Sequence, residues 1–480
     1  MGRPIITPQE MTAAEQAVFT AGTDSFDVMK RAGNAVAEFL HARWPEGKVQ
    51  VLCGPGGNGG DGFVAAAQLS RLWREVEVYC THDKASLTGD AAKAAAMWDG
   101  NVHPLESALE APHAIVLDAL FGGGLSRPLD GMAAALAERG GRVVSVDVPS
   151  GVDGLKARPL GPCFRAEGTI TFAGLRPAHV LQPASAYCGL VATADIGVPV
   201  QTLTVENGPM LWGPLMPRLG PVVYKHARGH LKVVSGPASA TGAARLAAMA
   251  GLRIGAGLVT VLSPPGAVSV NASHLTAIML QPINDAVDLE LAGQSAQGGI
   301  VGPAAGVTPA TRANVETILK SRARALLDAD ALTVFEGSHN ALFKRLRPDD
   351  IVTPHAGEFH RLFGYAQDSG VNKIETARRA AKEAGCVVLL KGADTVIAAP
   401  DGRAIVNTHA TPWLATAGSG DVLAVFVAGL MAQGMPTLEA AAMASWVHGE
   451  AGRRVGAGLI SEDLPHHVPD ILSALHGETA

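Results

Sequence analysis

The sequence is short of aromatic side chains: Phe, Trp and Tyr make up 5% of its 480 residues. It has no block of basic residues, and its net charge of −6 comes from both signs mixed along the chain. That pattern lacks the electrostatic footprint of a nucleic-acid binder, so no nucleic-acid partner is expected. Cysteine is scarce too. Cys53, Cys80, Cys163, Cys188 and Cys386 are scattered and form no C-x-x-C pair, which argues against a zinc ribbon or a redox motif and for reduced core thiols in the cytoplasm. The apolar runs are short or broken by Gly and Pro, so no membrane span is expected. The opening "MGRPIITPQEMTAAEQ" lacks the apolar core of a signal peptide, and the residues after Gly2 do not complete a myristoylation signal.

What is abundant is Ala, Gly, Val and Leu, a composition that suits α/β layers. The length exceeds one ordinary core, so two or three domains are expected. "TPQEMTAAEQAVFTAG" reads as a helix capped by Thr7, with Glu10 closing a capping box. A second helix is expected in "SFDVMKRAGNAVAEFLHARW". Strand candidates follow in "VQVLC", "VEVYC", "AIVLDAL", "RVVSVDV", "GTITFA" and "LVATADIG", with helical stretches between several of them. This alternation predicts a parallel sheet covered by helices. Around "VENGPMLWGPLMPRLGPVVYKHARGH" the pattern dissolves into Pro and Gly, which places a domain boundary near residue 210. A second α/β alternation then begins with "HLKVVSG" and ends in two apolar helices.

Three strand ends of the first half carry polar residues that a buried sheet does not need. In "CGPGGNGGDG", residues 53–62, a Gly-rich stretch with Asn58 and Asp61 joins a strand to the helix "GFVAAAQLSRL". It reads either as a ligand loop at a helix start or as a tight structural turn. In "VLDALFGGGLSRPL" Asp118 ends a strand, and in "VSVDVPSGVDG" Asp147 does so with Ser150 in the next turn. Carboxyl ends of parallel strands converge on one crevice. Asn58, Asp118 and Ser150 supply only oxygen, as a hard cation prefers. Asp147 is a candidate acid or base. Each Asp taken singly also fits a turn cap.

In the second half, "LATAGSGDVLAVFVAGLMAQG" opens a helix with Gly418, Ser419 and Gly420 and places Asp421 in its first turn. Backbone N–H groups there suit a phosphate, and Asp421 can take the proton of an attacking hydroxyl. The bland alternative is an acidic residue favoured by the helix dipole. "TPHAGEFHRLF" carries His355 and Glu358, and "VVLLKGADTVIAAPDG" carries Lys391 at a strand end.

With these motifs in place, the chain resembles a known family. "CGPGGNGGDG", "DALFGGGLSRPL" and "VDVPSG", in that order, are similar to the N-terminal epimerase domain of the bifunctional NAD(P)H-hydrate repair enzymes, as is "TPQEMTAAEQ…VMKRAG". The resemblance implies a Rossmann-like three-layer domain over residues 1–210 that takes a hydrated nicotinamide dinucleotide and a potassium ion. Asn58, Asp118 and Ser150 would hold the potassium. Gly57, Asn58, Gly59, Gly60 and Asp61 would contact the substrate. So would Gly122, Gly123, Gly124, Leu125, Ser126, Arg127 and Pro128, together with Asp147 as a catalytic residue. The family usually has Asn where this chain has Gly57.

"AGSGD" resembles the G-x-G-D anion hole of ribokinase-like kinases. With the His355 and Lys391 motifs, "LDADAL" and "GHLKVVSGPASATGAARLAAMAGLRIGAGLVTV", it is similar to the ADP-dependent NAD(P)H-hydrate dehydratase domain. The resemblance implies a ribokinase-like α/β domain over residues 211–480. Lys391, Gly392, Ala393, Asp394, Thr395 and Gly420 would bind the nucleotide. Ala243, Gly302, His355 and Asp421 would touch the hydrated cofactor, with Asp421 catalytic. The family often shows G-P-G-x-G where this chain has "VGPAAG", so Ala304 replaces a glycine. Lys225 in "YKHARGH" also matches a family lysine, and a solvated role is equally open.

The implied chemistry is repair of hydrated NADH and NADPH. The first domain would interconvert the R and S hydrates. The second would phosphorylate the S hydrate from ADP, with magnesium on the donor phosphates, and eliminate phosphate to restore the double bond. The partners implied are NADHX, NADPHX and ADP, in a homo-oligomer. A vitamin-type or small-alcohol kinase and a cofactor-sensing protein are the rival readings.

Overall fold

In the computed structural model of the chain, which describes residues 2–111, 115–220, 222–365 and 370–477, each half of the chain builds its own sheet. One unit is Arg3–Thr204; the other comprises the described residues from Val205 on, with Gly2.

The first unit begins as its capping signals require. In α1 (Pro8–Thr20), Thr7 Oγ1 accepts from the Glu10 amide at 3.2 Å and Glu10 Oε2 accepts from the Thr7 amide at 2.7 Å. Next, α2 (Ser25–Arg43) buries a stripe that includes Val28, Ala32, Val36 and Leu40, at helical spacing. The chain then runs through β1 (Val49–Cys53), α3 (Gly57–Arg71), β2 (Val76–Cys80), α4 (Gly89–Ala96), β3 (Val102–Pro104), β4 (Ile115–Ala119), α5 (Gly131–Arg139) and β5 (Val143–Val146). A small hairpin, β6 (Val152–Asp153) with β7 (Arg158–Pro159), precedes β8 (Gly168–Phe172) and β9 (Leu190–Ala194). The sheet order is β3-β2-β1-β4-β5-β8-β9, all parallel. This is the Rossmann-like arrangement. The order reverses between β1 and β4, so the switch-point crevice opens above Cys53 and Ala119.

All six expected strands form; Ala114, at the start of "AIVLDAL", lies outside the described residues. The short β3 and the β6–β7 hairpin were not expected, because two or three residues carry no readable alternation. One expectation is corrected: Gly57–Asp61 is not a loop but the start of α3, which begins at Gly57 rather than at Gly62. Glycine is required within this helical turn because neighbours leave no room for side chains. A Cβ on Gly59 would lie 1.9 Å from the Gly54 carbonyl oxygen, and one on Gly60 would lie 2.6 Å from Met29 Sδ.

The second unit contains β10 (Thr204–Glu206), β11 (His230–Val234), α6 (Gly242–Arg253), β12 (Leu258–Ser263), β13 (Met279–Pro282), β14 (Gly298–Val301), α7 (Pro309–Lys320), β15 (Arg324–Leu327), β16 (Ile351–Val352), α8 (Ala356–Phe363), α9 (Lys373–Ala384), β17 (Val387–Leu390), β18 (Thr395–Ala398), β19 (Ala404–Asn407), α10 (Ser419–Ala432), α11 (Thr437–Val455) and α12 (Leu464–Gly477). The order is β10-β19-β18-β17-β16-β15-β14-β11-β12-β13. It is parallel from β17 to β13, with β18 and β19 antiparallel. The division between units falls at Thr204, ahead of the Pro- and Gly-rich crossing, because β10 is already an edge strand of this sheet. The helix α10 is apolar on every face and is buried along almost its whole length, packed on β14, β15 and α6. Its N-terminus is thereby delivered to the carboxyl edge of the sheet.

Among the described residues no helix is long and apolar enough to cross a membrane. All five cysteines are free thiols.

Candidate active sites

In the first unit the switch-point crevice gathers the predicted residues. A cavity of about 420 Å³ is lined by Gly57, Asn58, Asp61, Gly123, Gly124 and Asp147, with Glu15 from α1 and Arg176 from beyond β8. An adjoining hollow of about 520 Å³ adds Gly122, Leu125, Ser126 and Arg127. Of the expected contact residues, Gly59, Gly60 and Pro128 line neither space. The two glycines are fixed by the close packing described above, and Pro128 packs towards Gly161.

Asp147 is the most constrained group there. Its φ of +63° lies in the left-handed region, which a non-glycine residue keeps only when its surroundings impose it. They do. Oδ2 accepts from the Gly123 amide at 2.8 Å, and Oδ1 accepts from Thr171 Oγ1 at 3.0 Å and Arg176 Nε at 3.1 Å. The His179 ring pins the backbone: Nδ1 accepts from the Arg176 amide at 2.9 Å, so Nε2–H donates to the Asp147 carbonyl at 2.7 Å. Burial keeps His179 neutral, with its pKa lowered to about 4. Burial alone would raise the Asp147 pKa, but Arg176, the Gly123 amide and its other partners carry it below the usual carboxylate range. Of the two expected roles, the ionised carboxylate fits the base. Asp61 contrasts with it. Buried and near Asp147 and Glu15, it has its pKa pushed well above the ordinary value, chiefly by desolvation. Glu15 is raised for the same first reason. Arg176 Nη1 is buried and has no hydrogen-bond partner among the described residues, a donor beside the cavity. Sequence reading missed Glu15, Arg176 and His179. None sits in a Gly-rich strand end, so no local signal marked them.

Below this cavity lies the oxygen cluster. Asp118 is fully buried; it accepts from Ser150 Oγ at 2.6 Å, the Ser150 amide at 2.8 Å and Ser145 Oγ at 3.0 Å. Burial raises its pKa despite these bonds, and no Lys or Arg pairs with it among the described residues. Asn58 Nδ2 donates to the Val146 carbonyl, which turns Oδ1 towards Gly122, where a Cβ would lie 2.7 Å from it.

In the second unit, Lys391 Nζ lies 2.8 Å from Asp328 Oδ1 and 3.8 Å from Glu358 Oε2. Burial lowers the Lys391 pKa, but these carboxylates outweigh it and raise the net value. Asp421, in the first turn of α10, has its pKa raised to about 6, first by burial and then by Asp328, with Lys391 opposing. The backbone next to Asp328 is also left-handed: Ala329 has φ +48°. A cavity of about 340 Å³ lies beside Lys391, lined by Gly392, Ala393, Thr395, Ser419, Gly420 and His448 among others. Asp394 does not line it; its carboxylate is held by Lys373 at 2.7 Å. His355 is a helix cap: Nδ1 accepts from the Gly357 amide at 3.0 Å, and the His355 amide donates to Glu358 Oε2 at 2.8 Å. Its Nε2 is therefore left as the N–H side. Gly302 has φ +133°, and a Cβ there would lie 1.7 Å from the Asp328 carbonyl oxygen, so it brings β14 tightly against the loop after β15. Ala304 takes a left-handed φ of +52°, the conformation a glycine would favour. Ala243 stands in the first turn of α6. Lys225 is exposed. Asp328 and His448 were not among the expected site residues; His448 Nε2 contacts the Ser419 carbonyl at 3.0 Å from the buried face of α11, where no local motif marks it.

Comparisons with known proteins cover both halves of the chain. A family model described as NAD(P)H-hydrate dehydratase matches residues 231–473, and one described as YjeF-related protein N-terminus matches residues 25–178. The bifunctional NAD(P)H-hydrate repair enzyme of Moorella thermoacetica is 32% identical, over 95% of this chain and 93% of its own. That of Coxiella burnetii is 30% identical, over 95% and 97%. Among solved structures, a ribokinase-like superfamily protein of Enterococcus faecalis matches with a TM-score of 0.53 at 21% identity, over 57% of this chain and 97% of its own, a likeness of fold.

Proposed function

The chain belongs to the family of bifunctional NAD(P)H-hydrate repair enzymes, and from that premise we propose that its two units divide the repair between them. The enzyme epimerises hydrated NADH and NADPH and dehydrates the S hydrate at the expense of a nucleotide. Epimerisation is assigned to Arg3–Thr204, and dehydration to the unit from Val205 on.

The observation that carries the dehydratase reading is Asp421: a carboxyl group with a pKa of about 6 at an uncapped helix start, facing the Lys391–Asp328 pair. A base tuned near neutrality takes the proton of the substrate hydroxyl. The hydroxyl oxygen forms a bond to the terminal phosphorus of ADP as the bond to AMP breaks. The new phosphate ester then leaves as phosphate, the ring nitrogen supplying electrons. Loss of a proton from the neighbouring carbon restores the double bond. Backbone N–H groups at the start of α10 and Lys391 suit the charge on the transferring group. Magnesium would be carried chiefly by the donor phosphates, with Glu358 as the nearby carboxylate available to it. When bound, magnesium neutralises phosphate charge.

For the epimerase, Asp147 serves as the base and Arg176 holds it ionised. The oxygens of Asn58, Asp118 and Ser150 would hold potassium; a fully buried carboxylate with no basic partner supports that donor set. Potassium would supply the missing positive charge and stiffen the turn beneath the substrate. The five free thiols support a reducing, cytoplasmic setting. The exposed side chains of Leu215, Leu219, Val222 and Tyr224 support self-association, which sedimentation would measure.

The direct test is to incubate the purified chain with separated S and mixed hydrates, with and without ADP. Recovery of NADH absorbance with one AMP and one phosphate per turnover is expected. Accumulation of a stable phosphorylated alcohol would instead identify a kinase.

A further inference from the structure

The ten-stranded sheet carries a second cavity on its carboxyl edge that the proposed chemistry leaves unused. It has a volume of about 480 Å³. Val234, Leu262, Ile283 and Leu289 give it apolar walls, and Ser235, Asp285 and Asn314 are among its polar groups. We propose that this cavity receives the adenosine half of the hydrated dinucleotide, and that its charge makes the enzyme prefer the NADH hydrate to the NADPH hydrate. The inference rests on reading Asp421 as the group that faces the hydroxylated ring.

The placement follows from the order of the strands. Asp328, paired with Lys391 beside Asp421, follows β15; next along the edge come β14, β11, β12 and β13. Neighbouring strands are about 4.8 Å apart, so β12 stands about 14 Å from β15. A dinucleotide laid along the edge with its ring at Asp421 therefore brings its other nucleoside to the cavity. The path between crosses two glycines. A Cβ on Gly302, after β14, would strike the Asp328 carbonyl, and one on Gly236, after β11, would lie 2.0 Å from the Ala304 carbonyl. Backbone packs on backbone at both points, so no side chain projects from either glycine, and α6 starts just beyond without a side-chain cap. This is a surface fit for a pyrophosphate. ADP also contains adenosine, but the residues proposed to bind it, Lys391 and Thr395 among them, line the separate cavity.

The chemistry of the lining sets the preference. Apolar walls with a few polar groups suit a base and a ribose. None of the described residues lining the cavity is basic, and Asp285 adds a carboxylate, which caps the amides of Val287 and Asp288. A 2′-phosphate would enter without a counter-charge and close to an anion.

The test uses the full chain with separated S hydrates of NADH and NADPH. Ala313 lines the cavity from the exposed side of α7, so Ala313→Trp obstructs it with little demand on the core. The expected result is a KM for the NADH hydrate raised about tenfold, with kcat and the KM for ADP within about twofold of wild type. An unchanged KM for the hydrate, or a raised KM for ADP instead, would overturn the placement. In the wild type, kcat/KM should favour the NADH hydrate by about tenfold, and Asn314→Arg should narrow the ratio by supplying a cation. Equal use of both hydrates by the wild type, or no response to Asn314→Arg, would overturn the charge argument. Failure of the wild type to dehydrate either hydrate would instead reject the function from which this inference starts.

Discussion

Two helices of this protein begin in the same way and end up electrostatically different. Both α3 and α10 start in a glycine-containing turn at the carboxyl ends of parallel strands, and both carry an aspartate close to that start, Asp61 and Asp421. Each carboxyl group is raised by burial. In the first unit the nearby cation, Arg176, is engaged by Asp147, so Asp147 ionises while Asp61 is driven well above the ordinary carboxylate range. In the second unit Lys391 is shared by Asp328, Glu358 and Asp421, and Asp421 comes to rest at about 6. A glycine-rich helix start makes room for a ligand. What faces it from other strands decides which carboxylate is the base.

The sharpest way to break this comparison is to remove one base at a time. Asp421→Asn should lower ADP-dependent dehydration by about 10²–10⁴ and leave epimerisation untouched. A variant that still restores NADH at the wild-type rate would show that the proton goes elsewhere. Asp147→Asn should slow interconversion of R and S by about 10² or more while the S hydrate is still dehydrated normally; chiral chromatography of the hydrates reads the first and absorbance the second.

Acidity separates the sites less drastically. Asp421 acts when ionised, and its raised pKa means that the ionised fraction falls as pH drops through about 6. At pH 5 dehydration should therefore be about tenfold below its plateau. Asp147, held below the ordinary range by Arg176, keeps its charge there, so epimerisation should not follow the same curve. Parallel pH profiles for the two activities would remove the distinction. The smallest effect expected is on stability. Thr7→Ala removes the cap of α1 and should cost the first unit about 0.5–2 kcal/mol, visible as an earlier denaturant midpoint for epimerase loss with no change in the dehydratase midpoint.

Much of this architecture was written locally. The Thr7–Glu10 box, the apolar stripe of α2 and the strands that end in Cys53, Ala119 and Leu390 each depend on residues a few positions apart, and each forms close to where it was read. So does the placement of Asp421 in a helix start, where Gly418 takes the positive φ of +82° that glycine tolerates. The extent of α3 was misread because glycine ordinarily weakens a helix. Only the folded chain reveals that the Gly54 carbonyl and Met29 occupy the space a side chain would need.

The sequence by itself determined which residue types stand at the strand ends, and through parallel topology that they converge. It did not determine their charge. The partners that set it are far away in the chain: Arg176 lies 29 residues from Asp147 and Lys391 lies 63 from Asp328. Desolvation, too, depends on how completely neighbouring elements close over a carboxylate. Protonation is a sum over everything packed nearby, so the tertiary structure alone decided that Asp147 is ionised, that Asp61 is not poised as it is, and that Asp421 titrates near neutrality.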